Sequence, residues 1–253
     1  MKTVAIISVT GGAGKTTLTA ALAVLLARRH RPVVAVELDE QNILGTFLGL
    51  RKIPSNGLAT HTLSRDAPWH ASTYRSNEGV MFVPFGAVDA DAHLSFDSLL
   101  GQRADWLGNC LREISLPADG IVLIDTARFP SEKALQAVRC ADLVLCVARP
   151  DPHGCVLLAT HFDVLQRNSK TLKVLSNGVY PARQLHHDAI ALLKNRIGAE
   201  TLLSQRVHLD EVVPQAYAHG GYFFDDAPHS QTSHDLQGLA NWLSAWTTQG
   251  EAH

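Results

Sequence analysis

Thr10-Gly11-Gly12-Ala13-Gly14-Lys15-Thr16-Thr17 is the stretch on which the reading of this chain turns. It follows the apolar run Val4 to Val9 and precedes Lys15 to Arg29, where Leu18, Leu22, Leu25 and Leu26 recur at helical spacing. The order is strand, glycine-rich turn, helix. Glycines let the backbone turn successive N–H groups onto one anion, and the helix N-terminus behind them adds partial positive charge. Lys15 is placed to reach the outer phosphates of a nucleotide, and the Thr16 hydroxyl to bind the Mg²⁺ that travels with them. Gly11, Gly12, Ala13, Gly14, Lys15, Thr16 and Thr17 are the expected cradle.

Outward from this turn, short apolar runs alternate with helix-periodic segments. Val33 to Leu38, Val80 to Phe85, Ile121 to Ile124 and Leu143 to Ala148 read as buried strands, with weaker ones at Leu172 to Ser176 and Arg206 to Leu209. Helices are predicted over 103–115, 131–139, 154–167, 185–197 and 233–246. The pattern predicts an α/β fold, a doubly wound and mostly parallel sheet with helices on both faces. Residues 51–79 hold Pro54, Asn56-Gly57, Pro68 and Asn77-Glu78-Gly79 and read as an elaborated connection, so one domain over 1–253 is expected.

Composition narrows the function classes. The 253 residues carry 22 Lys+Arg against 24 Asp+Glu, a net charge of −2, so bulk electrostatics do not drive nucleic-acid binding. The short apolar N-terminus runs into the glycine turn without a cleavage site, and no stretch reaches the ~20 apolar residues of a membrane span. A cytoplasmic address is expected. Cys110, Cys140, Cys146 and Cys155 have no CxxC spacing and read as packed thiols. The scattered histidines lack metal-site spacing, and no GxSxG supports a serine nucleophile.

The strict GxxxxGK[ST] motif needs glycine where Val9 stands. The loop instead resembles the deviant Walker A of the MinD/ParA family, KGGxGK[ST], with Thr10 in place of the signature lysine. Glu37-Leu38-Asp39-Glu40-Gln41-Asn42 resembles that family's DxDPQxN switch I, and Asp125-Thr126-Ala127 its switch II. The resemblance implies that Lys15 and Asp39 are catalytic, Asp39 orienting the attacking water. It also implies that Thr16, Asp39 and Asp125 serve Mg²⁺, and that Asn177 and Pro214 receive the adenine of ATP. Taken alone, Asn177-Gly178 could equally be a turn. An ATP-sandwiched homodimer follows from the same likeness.

A narrower branch, the cellulose biosynthesis proteins of the BcsQ type, resembles the middle of the chain. The matching blocks are Asn42-Ile43-Leu44, Phe47, Gly57-Leu58-Ala59, Trp69, Val83-Pro84-Phe85-Gly86, Arg128 and Leu239-Ala240-Asn241-Trp242. That branch implies an ATP-dependent assembly or regulatory factor of the bacterial cellulose synthase secretion complex. Its partners are the other subunits at the inner membrane, peripheral association there stays open, and no nucleic acid is expected. Thr10 brings no positive charge to the partner's nucleotide, so hydrolysis is expected to be weak or absent. The rival is a partition-type ATPase that positions DNA or another cargo. Arg28-Arg29-His30-Arg31 suits a helix C-terminus electrostatically, and the C-terminal helix with Trp242 and Trp246 is expected to dock on the core rather than on a membrane.

Overall fold

Every residue of Val33–Leu38, Ile121–Thr126 and Leu143–Ala148 is buried, the condition of strands covered on both faces. The computed structural model describes residues 1–249; the last four of the domain expected over 1–253 lie outside them. Eight strands form one sheet: β1 (Lys2–Ile7), β2 (Val33–Leu38), β3 (Tyr74–Arg75), β4 (Met81–Val83), β5 (Ile121–Thr126), β6 (Leu143–Ala148), β7 (Leu172–Val179) and β8 (Leu202–His208). Their order is β3-β4-β2-β5-β1-β6-β7-β8, parallel throughout except for the β3–β4 pair. The order reverses at β1, and such a switch point opens a crevice at the carboxyl ends of the strands.

Alternation along each strand feeds two cores. Val4 and Ile6 of β1, with Ile121 and Leu123 of β5, pack under α1 (Lys15–Ala27) and α2 (Leu44–Phe47). Ala5, Ile7, Val122 and Ile124 face the opposite side. That side is covered by α3 (Leu58–Ser64), α4 (Ala90–Gln102), α5 (Trp106–Leu111), α6 (Glu132–Cys140), α7 (Pro152–Asn168) and α8 (Gln184–Ile197). The α1 side is completed by α9 (Val212–Ala218), α10 (Phe223–Asp226) and α11 (Gln231–Gln249).

Several boundaries depart from the sequence reading. β1 stops at Ile7 instead of Val9, because Ser8 turns into the loop and its Oγ donates to the Thr10 carbonyl at 2.7 Å. The 103–115 helix contracts to α5. β8 runs from Leu202 instead of Arg206, and its half-exposed polar alternation hid it. Helix α4 was not foreseen, since only Phe96 and Leu100 of its residues are buried. Its start signal was present nonetheless: Asp89 caps it, accepting from the Ala92 N–H at 2.8 Å.

Helix α11 docks as expected, burying Leu236, Leu239, Ala240 and Leu243. Trp242 and Trp246 pack against the same core, with the Lys2 ammonium 5.9 Å from the Trp246 ring centre. The basic cluster after α1 is consumed internally. Arg28 pairs with Glu78 at 2.8 Å and Asp225 at 2.6 Å, Arg29 donates to Gln237 Oε1 at 2.6 Å, and Arg31 donates to Thr247 Oγ1 at 2.6 Å.

Candidate functional site

The crevice at β1 is where the glycine turn sits. Gly12 and Gly14 adopt φ of +65° and +91°, which L side chains rarely occupy, and Gly14 is the residue before α1. A Cβ on Gly14 would lie 2.5 Å from Asn177 Nδ2. That closeness reflects a direct bond: Asn177, near the end of β7, donates from Nδ2 to the Ala13 carbonyl at 2.7 Å. Two residues the sequence placed at opposite ends of a ligand are thus joined through the loop backbone.

Thr16 and Asp125 meet directly, the Thr16 hydroxyl donating to Asp125 Oδ2 at 2.7 Å. Thr19 supports the same carboxylate from one turn further on, at 3.4 Å. Asp125 is fully buried in the penultimate position of β5 beside β1, and the Thr126 hydroxyl that follows donates to the Ile6 carbonyl at 3.0 Å. The Phe129 N–H donates to the Ser8 carbonyl at 2.9 Å, so the segment after Asp125 is sewn to the loop. Asp39 stands apart from this pair: its Oδ1 accepts from the Gln41 N–H at 3.1 Å and it bonds neither Thr16 nor Asp125.

Charge is concentrated here. Burial pushes the Asp125 carboxyl up to about 7, with Asp39 adding to the rise and the Thr16 bond and Lys15 opposing it. Glu37, facing Asp125 across the β2–β5 ladder, is pushed to about 8 by burial and by both aspartates, against the Leu44 N–H that it accepts at 2.8 Å. Its Oε2 is buried with no hydrogen-bond partner among the described residues. Burial also raises Asp39, while Lys15 and Lys133 lower it. A buried carboxylate bonded to a hydroxyl suits a hard divalent cation that keeps most of its shell for water and phosphate. Among the described residues no group of three or more His, Cys, Asp or Glu side chains converges as a metal cage.

Beside the loop lies a cavity of about 580 Å³, lined by Gly12, Gly14, Thr17, Asn177 and Pro214 among others. Every residue expected to hold the base is on its wall. The sequence reading missed Thr46, Phe47, His208, Asp210 and Tyr217 as further lining. Phe47 and Tyr217 lie 4.5 Å apart between ring centres, one from α2 and one from α9, a pairing no local pattern reveals. His208 is fixed by Asp235, whose Oδ2 lies 2.7 Å from Nδ1 and 2.8 Å from the backbone N–H. Arg128 is exposed on the segment after Asp125. Thr10 is buried, and its hydroxyl has no partner among the described residues. The four thiols are free, and burial pushes Cys110, Cys140 and Cys146 up to about 12, which keeps them unreactive.

Comparison with known proteins agrees with this geometry. The chain is 25% identical over 240 residues to the cellulose biosynthesis protein BcsQ of Salmonella typhimurium, covering 92% of this chain and 90% of that one. Among solved structures it resembles the septum site-determining protein MinD of Pyrococcus horikoshii in complex with Mg-ADP. The two share 22% identity at a TM-score of 0.76, over 96% of this chain and 95% of that one. It also resembles an ATP complex of Cyanothece McdA at 20% identity and a TM-score of 0.79, over 96% of each chain. These likenesses show a MinD-type fold. The family described as cellulose biosynthesis protein BcsQ matches residues 1–243, nearly the whole chain, and the protein belongs to that family.

Proposed function

We propose that this chain binds ATP with Mg²⁺, closes into a homodimer across two nucleotides, and uses that state to assemble or regulate the bacterial cellulose synthase secretion complex. The observation that carries the nucleotide reading is the convergence of loop, acids and cavity: the Thr16–Asp125 bond at the loop's inner end and the 580 Å³ cavity at its outer end. Gly11 to Gly14 wrap the phosphates, Lys15 neutralises them, and Thr16 and Asp125 hold the cation. Mg²⁺ held there would supply charge neutralisation to the phosphates. Asp39 holds a water near the terminal phosphate. Asn177 and Pro214 receive the adenine.

The family name and the kinship with BcsQ support the cellulose role. Work at the inner membrane fits a protein recruited there by partner subunits, since among the described residues no helix is long and apolar enough to cross a membrane. The internal pairing of Arg28, Arg29 and Arg31 supports a reading without nucleic acid. Thr10, neutral where relatives of this fold class carry a signature lysine, supports slow or absent hydrolysis. The test is titration of the purified protein with ATP and Mg²⁺, with light scattering for mass and phosphate release for turnover. Binding, a doubled mass and slow turnover are expected. No affinity for Mg²⁺-ATP overturns the reading, and rapid turnover with salt-sensitive DNA binding favours a partition-type ATPase instead.

A further inference from the structure

Lys133 is a lysine where lysines are rarely found. It lies at the second position of α6, its side chain only 4% exposed, and its ammonium lies 6.0 Å from the centre of the buried Phe85 ring. A buried ammonium needs partners, and Lys133 has two carboxylates. Asp97 of α4 is 2.5 Å away, and Glu40 is 3.6 Å away. Glu40 adjoins Asp39 in the chain, so Lys133 grips the loop one residue from it.

The loop that bears Asp39 is tethered from three sides. Asn42 donates to the Pro54 carbonyl at 2.7 Å and accepts from the Gly86 N–H at 3.1 Å, which fixes the loop to the β4 end. The Leu44 N–H donates to Glu37 at 2.8 Å, which fixes it to β2. Lys133 is the tether from α6, the helix that directly follows the Asp125 segment. We infer that Lys133 is a positioning residue that couples the Asp39 loop to the Asp125 segment, using Asp97 as its anchor and Glu40 as its handle. This rests on the nucleotide reading above for its functional consequence, because both segments border the expected terminal phosphate. An ATP whose terminal phosphate meets two coupled segments is bound better, relative to ADP, than one that meets a loose loop.

Three variants separate the coupling from mere bracing. Glu40→Gln removes the handle and spares the buried Lys133–Asp97 pair; Asp97→Asn removes the anchor and spares the handle; Lys133→Met removes both. Hydrogen exchange of amides 40–44 in the nucleotide-free protein is expected to accelerate at least tenfold in Glu40→Gln and Lys133→Met. It should accelerate less in Asp97→Asn, and α1 amides should be unchanged throughout. The ratio of ATP to ADP affinity in Mg²⁺ should fall three- to tenfold in Glu40→Gln, a readout that a general loss of stability would not move, since both nucleotides share the glycine loop. Exchange at 40–44 in Glu40→Gln equal to that of the unaltered protein overturns the inference, as does an unchanged ATP:ADP ratio. Should Lys133→Met fail to fold, the Glu40→Gln result decides alone, because that side chain is 44% exposed. Absence of Mg²⁺-ATP binding by the unaltered protein overturns the proposed function, and the exchange measurement still decides whether the tether exists.

Discussion

At the scale of single residues, the site is governed by what charge each position carries. Thr10 leaves a neutral hydroxyl where the resemblance expects a lysine, and a cation acting on a transferring phosphoryl group is worth about 10³–10⁵ in rate. Thr10→Lys should therefore raise ATP turnover at least tenfold, measured as phosphate release; an unchanged rate would remove Thr10 as the ground for the proposed slow hydrolysis. Glu37 and Asp125 give a pH signature. Both hold a proton in the folded protein, up to about pH 8 and about pH 7, that the unfolded chain releases at ordinary carboxylate values. Folded protein then binds more protons than unfolded, so stability of the nucleotide-free protein falls as pH rises from about 4 to about 8. Glu37→Gln should flatten that decline in chemical denaturation at the two ends of the range, and a parallel decline would count against it. Gly14→Ala forces a side chain into φ +91° and against Asn177. It should cost about 1–3 kcal/mol of stability and weaken nucleotide binding, read by denaturation and by titration.

At the scale of elements, what the sequence revealed depended on how local the signal was. β2, β5 and β6 were plain because strands covered on both faces must be apolar throughout. The loop from Thr10 to Thr17 was plain because glycines, lysine and threonine act through adjacent backbone. Asp125 and Asn177 stand out because each is a polar residue following an apolar run, although β5 and β7 extend past them to Thr126 and Val179. Phe47, Tyr217 and Lys133 could not be read, since each gains its role only when a distant helix arrives. Helix α4 escaped because it is mostly exposed, although its cap residue Asp89 was visible. Helix α11 makes the strongest element-level prediction. Leu239, on its inner face, is fully buried, so Leu239→Ala should cost about 2–5 kcal/mol, measured by urea unfolding. A cost near zero would mean that α11 is not part of the core.

At the scale of the whole molecule, the sheet places the loop, Asp39, Asp125 and Asn177 along one edge, where the carboxyl ends of the parallel strands gather. An edge that presents nucleotide and switch segments together can be completed by a second copy. Mass should therefore double with Mg²⁺-ATP and return to the single-chain value with chelator, followed by light scattering. A mass that ignores nucleotide would leave the homodimer without support. Because Trp242 and Trp246 are turned onto the core, vesicles of anionic phospholipid should not sediment the isolated protein. Co-sedimentation would show that α11 can exchange its docking site for lipid.

In the proposed base site, the amide of Asn177 bears on which base fits. With nitrogen committed to the Ala13 carbonyl, the opposite end of that side chain is an oxygen, able to receive a proton but not to offer one. In the proposed adenine site the C6 amine of adenine satisfies such an oxygen, whereas the C6 keto group of guanine in the same place would meet it lone pair to lone pair. GTP should accordingly compete poorly for the cavity, and Asn177→Asp, which keeps an oxygen at the base but loses the stitch to the loop, should blur phosphate binding more than base choice.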